Sequence, residues 1–120
     1  MLKSLIIDDE IDICYLLSNI LKQKKLSTRY VNNLSDATRM LQQEDIDLIF
    51  LDNHLGDGLG VNFINYIKQI RPDAKIVMIT AYDTPSDRYT ALNKGVDFFI
   101  GKPFTKEIIN SIVEDFSVPK

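Results

Sequence analysis

The sequence predicts an α/β domain in which five short strands alternate with five helices, giving a mainly parallel sheet covered on both faces. Three observations predict it. Continuous apolar runs of three or four residues recur along the 120 residues: Leu5-Ile6-Ile7, Leu48-Ile49-Phe50-Leu51, Ile76-Val77-Met78-Ile79 and Phe98-Phe99-Ile100. Such runs are the pattern of strands buried on both faces. Between them, apolar residues recur at helical spacing, and parallel strands need helix-sized right-handed crossovers. The runs also end alike, in Asp8-Asp9, Asp52, Thr80 and Gly101-Lys102-Pro103. Open sheets of this kind place their ligand crevice beyond the carboxyl ends of the strands, so three carboxylates, a hydroxyl and an amine are expected at one edge.

The first strand covers Leu2 to Ile7. The first helix runs from about Glu10 to Lys25, with Ile13, Leu16, Leu17, Ile20 and Leu21 on one face and Asp9 placed to cap its start. A second strand lies near Thr28 to Val31. It leads to a helix from about Ser35 to Gln43, where Ala37, Met40 and Leu41 share a face and Ser35 is the expected N-cap. The third strand, Leu48 to Leu51, runs into Asp52 and then Gly56-Asp57-Gly58-Leu59-Gly60. Those glycines fit neither the P-loop nor the dinucleotide fingerprint and read as a turn. A helix from about Val61 to Ile70 stops at Arg71-Pro72-Asp73, because proline cannot continue it and biases the preceding residue away from helical torsions. Lys75 to Thr80 is the fourth strand, and Thr84-Pro85-Ser86-Asp87 opens a helix that ends at Gly95. Asp97 to Ile100 and a helix from Thr105 to Phe116 complete the alternation. Flavodoxin-like strand order, 2-1-3-4-5, is the leading candidate for a five-strand chain of this size. Residues 1–120 read as one domain with an ordered core of about 2–116, and Ser117-Val118-Pro119-Lys120 as a tail or the start of a linker.

Composition narrows the function classes. A net charge of −3 and a pI near 5.0 leave no basic stripe to displace counterions from a nucleic-acid backbone, so direct nucleic-acid binding is not expected. Lys22, Lys24 and Lys25 cluster where cations complement the end of the first helix. Cys14, the one cysteine, excludes an internal disulfide and reads as a small core residue. No apolar run approaches the roughly 18 residues of a membrane span, and Met1-Leu2-Lys3-Ser4 enters the first strand with no signal-peptide core before it. The expectation is a cytoplasmic protein without membrane contact.

Asp8, Asp9 and Asp52, once brought together, repel by roughly 4 kcal/mol per pair at 4 Å and an effective dielectric near 20. A hard divalent cation relieves that repulsion, since Mg²⁺ takes one or two carboxylates, retained waters and a phosphoryl oxygen. Lys102 would offset more of the charge, and Thr80 adds a donor hydroxyl. These residue types support phosphoryl transfer to a carboxylate, with Asp52 as candidate nucleophile. Any single aspartate after a strand is more often a helix cap or a solvated loop residue; the ordered set reverses that preference. His54, a lone loop histidine, reads as a solvated side chain.

The motifs Ile6-Ile7-Asp8-Asp9-Glu10, Phe50-Leu51-Asp52-Asn53-His54-Leu55, Ile79-Thr80-Ala81 and Gly95-Val96-Asp97-Phe98-Phe99-Ile100-Gly101-Lys102-Pro103-Phe104 together resemble a response-regulator receiver domain of two-component signalling, from Lys3 to about Phe116. The resemblance implies that Asp52 accepts a phosphoryl group from a histidine of a sensor kinase or phosphotransfer protein. It implies that Asp9 and Asp52 ligate Mg²⁺, or Mn²⁺ in its stead, that Asp8 acts through a coordinated water, and that the His54 backbone carbonyl completes the protein ligands. Thr80 and Phe99 would form the switch, Phe99 standing where the family more commonly has tyrosine, and would alter the face built from the fourth helix, fifth strand and fifth helix. That face would meet a downstream output protein or domain, or a second phosphorylated copy as a homodimer. The Lys102-Pro103 bond is expected to be cis, and Gly56 stands where the family often has proline. Such a domain catalyses only its own phosphorylation and dephosphorylation. The competing readings are a receiver-like binding module that takes no phosphate and a small aspartate-nucleophile phosphatase. The phosphatase reading wants an Asp-x-Asp arrangement after the first strand, which Asp8-Asp9-Glu10 does not supply.

Overall fold

The computed structural model describes residues 2–117. Five strands, β1 (Lys3–Ile7), β2 (Ser27–Val31), β3 (Leu48–Asp52), β4 (Lys75–Thr80) and β5 (Phe98–Gly101), form one parallel sheet in the order β2-β1-β3-β4-β5. This is the flavodoxin-like, CheY-type doubly wound fold, with β1 and β3 adjacent at the point where the strand order reverses. The helices are α1 (Ile11–Gln23), α2 (Leu34–Gln43), α3 (Ile64–Ile70), α4 (Pro85–Asn93) and α5 (Lys106–Ser117).

Strand alternation divides the core in two. Leu5, Ile7, Ile49, Leu51, Ile76, Met78 and Phe99 pack with Ala37 and Leu41 of α2, Ile64 and Ile67 of α3, and Ala91 of α4. Ile6, Leu48, Phe50, Val77, Ile79 and Ile100 pack on the other face with Cys14, Leu17 and Leu21 of α1 and Ile109, Ile112 and Val113 of α5. Every residue of β3 is buried, because it is central and covered on both faces. Burial, then the charge of Asp8, pushes the Cys14 thiol up to about 11, so it stays protonated and acts as a core residue.

The register sets the level of each strand-end residue. Ile7 pairs with Leu51, which puts Asp8 beside Asp52; Asp52 pairs with Ile79, and Thr80 with Gly101 one step further on. Asp8, Asp52, Thr80 and Lys102 therefore leave the sheet at one edge within two residue steps.

Two cap assignments are corrected. Glu10, not Asp9, is the N-cap residue of α1, and no side chain caps it; the Glu10 N–H instead donates to Asp8 Oδ1 at 2.9 Å. Asn33, not Ser35, caps α2, its Oδ1 accepting the Asp36 N–H at 2.7 Å. In α2 the Leu34 and Ser35 amides are both taken by Asp57, so Ser35 lies inside the first turn and Asn33 is the local cap. The glycine-rich turn is a short hairpin, His54–Leu55 against Gly58–Leu59, followed by a 3₁₀ turn, Gly60–Phe63, where a continuous helix from Val61 is expected from the sequence. Helix α5 continues to Ser117, and residues 118–120 of the expected tail lie outside the described residues. Among the described residues, no helix is long and apolar enough to cross a membrane.

Candidate functional site

Asp52 ends the central strand with 5% of its surface exposed. Lys102 arrives from the end of β5, where its backbone N–H donates to the Thr80 carbonyl at 2.8 Å and the Lys102-Pro103 peptide is cis. The side chain, 8% exposed, reaches back across the edge. Its Nζ lies 2.9 Å from Asp8 Oδ2, 2.9 Å from Glu10 Oε1 and 3.7 Å from Asp52 Oδ1. One ammonium is thus shared by three carboxylates. Asp9 is exposed, and carboxylate oxygens of Asp8, Asp9 and Glu10 lie within 4.8 Å of one another.

The electrostatics follow from this crowding. Burial first, then the charge of Asp8, pushes the Asp52 carboxyl up to about 7 against the pull of Lys102 and of the His54 backbone amide. Asp8 is also raised, chiefly by burial. Burial opposes the Lys102 charge, but its bonds to Glu10 and Asp8 outweigh that, and its pKa lies above the ordinary value. The donor set is entirely hard oxygen, and one ammonium does not balance four carboxylates. These residues fit a hard divalent cation.

Thr80 is fully buried, and its Oγ1 accepts the Tyr82 N–H at 3.1 Å, which leaves the hydroxyl proton available for donation. The His54 ring is exposed and lies against Tyr82, with ring centroids 4.4 Å apart, so the pair joins the segments that follow Asp52 and Thr80. Phe99 belongs to the α2–α3–α4 face, away from the acid cluster, and Phe98 packs on the opposite face. The Arg88 guanidinium lies 4.9 Å over the Phe99 ring, donates to the Phe99 carbonyl at 3.2 Å, and pairs with Asp83 through two nitrogens. A cavity of about 30 Å³ beside the ring, lined in part by Met78, Ala91 and Asn53, has room for a water.

Glu10 has a part that sequence reasoning does not assign. At 58% side-chain exposure it is the solvent-side holder of Lys102, and its position directly after Asp8-Asp9 was the available signal. Asn53 was also missed: its buried side chain accepts the Val61 N–H at 2.8 Å and shapes the return of the chain past Asp52.

A CheY-type sheet whose switch-point edge carries an acid cluster bridged by a lysine defines a class of phosphorelay signalling domains. The sequence pattern of the response regulator receiver domain matches residues 4–114, and the chain belongs to that family, the receiver domains of two-component response regulators. It is 41% identical over 101 residues to the response regulator protein PilR of Pseudomonas aeruginosa, covering 84% of this chain and 23% of PilR. The chain thus spans less than a quarter of that relative's length. Among solved structures it superposes on a two-component response regulator from Clostridium difficile with a TM-score of 0.93 at 31% identity, covering 97% of this chain and 95% of that one. A response regulator protein from Burkholderia pseudomallei, solved with a phosphorylated aspartic acid, a calcium ion and citrate, matches at a TM-score of 0.86 and 26% identity, covering 96% and 72%. Receiver domains are signalling domains and not enzymes in the usual sense.

Proposed function

We propose that this chain is a phosphorylation-controlled switch in which Asp52 accepts a phosphoryl group from the phosphohistidine of a sensor histidine kinase or histidine phosphotransfer protein. The observation that carries the reading is the Lys102 ammonium set between two buried carboxylates, Asp8 at 2.9 Å and Asp52 at 3.7 Å. The phosphorylated aspartate of the Burkholderia relative supports it. In the transfer, a carboxylate oxygen of Asp52 attacks phosphorus, the P–N bond breaks, and its electron pair returns to the imidazole. Lys102 and the Thr80 hydroxyl then face the equatorial oxygens, the first as a point charge and the second as a donor. Water later cleaves the acyl phosphate. Asp9, Asp52 and the His54 carbonyl would hold Mg²⁺, or Mn²⁺, with Asp8 acting through water; the bound cation supplies charge neutralisation at the phosphoryl oxygens.

The output step in this reading runs from Thr80 to Phe99 and thence to the α4–β5–α5 face, which meets a downstream protein or domain or a second phosphorylated copy. Phe99 has no hydroxyl, so the switch works through apolar packing alone, a local charge event biasing one of two packed arrangements. The domain acts in the cytoplasm.

Intact mass after incubation with acetyl phosphate and Mg²⁺ tests the assignment. A hydroxylamine-labile phosphoryl adduct is expected on the wild type, and none with EDTA or in Asp52→Asn. An unchanged mass throughout would leave a binding module that takes no phosphate, and steady hydrolysis of p-nitrophenyl phosphate would revive the phosphatase reading.

A further inference from the structure

Asp57 lies in the turn of the hairpin that follows Asp52. Its carboxylate oxygens accept the Leu34 N–H at 2.9 Å and the Ser35 N–H at 3.1 Å, the two amides that open α2. First-turn amides have no partner within their own helix. The local cap, Asn33, takes the third of them, from Asp36, and Asp57 takes the first two from 22 and 23 positions away. The helix dipole favours a carboxylate there, and the amides, Leu34's most, hold the Asp57 carboxyl below its ordinary value.

The backbone is shaped for this reach. Gly58 sits at φ +151°, and a Cβ on it would come within 2.9 Å of Leu34 Cδ1. At the far end of the hairpin, a Cβ on Gly60 would stand 2.3 Å from the Asp52 carbonyl oxygen, while one on Gly56, at the tip, would touch nothing. Inside the hairpin, His54 pairs with Leu59 and Leu55 with Gly58, so a hold on the turn is passed to the His54 backbone. The segment before α2 also grips the other acidic loop, because the Asn32 side chain donates to the Asp8 carbonyl at 2.8 Å. Asn32, Leu34 and Ser35 therefore brace both loops that carry candidate metal ligands.

The geometry points to Asp57 as a positioning residue that anchors the post-Asp52 hairpin to the start of α2 and so sets the divalent-cation affinity of the phosphoacceptor site through the His54 carbonyl. This rests on the metal reading proposed above. It is tested by titrating the metal-free chain with Mg²⁺, following backbone amide resonances of residues 52–59, and by hydrogen exchange at Leu34 and Ser35.

In Asp57→Ala, exchange at those two amides should quicken and Mg²⁺ affinity should fall by about tenfold, the low end for loss of an outer partner of a metal ligand. Asp57→Asn keeps one acceptor oxygen and should fall between Asp57→Ala and wild type; it carries the test should the alanine variant fail to fold. Asn33→Ala, which weakens the same helix start without touching the hairpin, should leave affinity within about twofold of wild type. Unchanged affinity in the Asp57 variants, or an equal loss in Asn33→Ala, overturns the inference. A wild-type chain whose 52–59 amides ignore Mg²⁺ removes the metal reading, and this inference with it.

Discussion

The Asp52 carboxylate carries a large electrostatic penalty. With its pKa raised from 3.8 to about 7, chiefly by burial, the folded chain keeps a proton between those values that the unfolded chain has released. Stability of the metal-free protein therefore declines as pH rises from about 4 to about 7, and the full penalty stands above that window. Asp52→Asn removes the penalty. Its stability should match wild type near pH 4 and exceed it at pH 8 by a margin on the order of a few kcal/mol, seen as a higher melting temperature. Thermal melts of both chains in EDTA across that range check it, and a margin that is constant or grows toward acid contradicts the assignment. Lys102 tempers the same repulsion from the other side: its Nζ touches Asp8 and Glu10, and a phosphoryl group arriving at Asp52 would compete with them for it.

At the scale of elements, the segment from Asp52 to Phe63 turns back against the end of β3 at Gly60. The Gly60 N–H donates to the Asn53 carbonyl at 2.8 Å, and the backbone returns so close to β3 that a side chain has no space. Gly60→Ala must push the strand-end carbonyl aside and should cost about 2 kcal/mol or more, in the range of overpacked sites. Gly56→Ala, in open space and outside the positive-φ region, should stay within about 0.5 kcal/mol of wild type. Denaturant midpoints of the two variants provide the comparison, and equal losses would contradict the close approach. The α4 and β5 elements are joined differently, by Arg88 over the face and carbonyl of Phe99. A ring that turns must first leave that guanidinium.

For the whole molecule, doubly wound topology turns separated segments into one charged edge. The acid cluster opposes folding, and a ligand that binds only the folded chain reverses that by mass action. At Mg²⁺ concentrations about 100-fold above its dissociation constant, stability should rise by roughly 3 kcal/mol, a shift on the order of 10 °C for a domain of this size. The shift should shrink strongly in Asp9→Asn. Calorimetric scans at increasing Mg²⁺ read it directly, and an unmoved melting temperature in the wild type would argue against a divalent-cation site.

Much of this was legible in the amino-acid order. Short apolar runs separated by helical spacing report burial on two faces, which is a local property, and they place Asp8, Asp52, Thr80 and Lys102 at strand ends before any pairing is known. The end of α3 at Arg71-Pro72 and of α4 at Gly95, where φ is +102°, follow from single-residue backbone preferences. What tertiary structure alone decided are bonds between residues far apart in the chain. The grip of Glu10 on Lys102 spans 92 positions, and the reach of Asp57 to Leu34 spans 23. Asn33 rather than Ser35 caps α2 beside an Asp57 that takes the Leu34 and Ser35 amides, and the turn after Asp52 closes as a hairpin through the pairing of His54 with Leu59 and Leu55 with Gly58. Neither Glu10 nor Asp57 differs in type from a solvated surface acid; a partner delivered by the closing of the sheet distinguishes each of them.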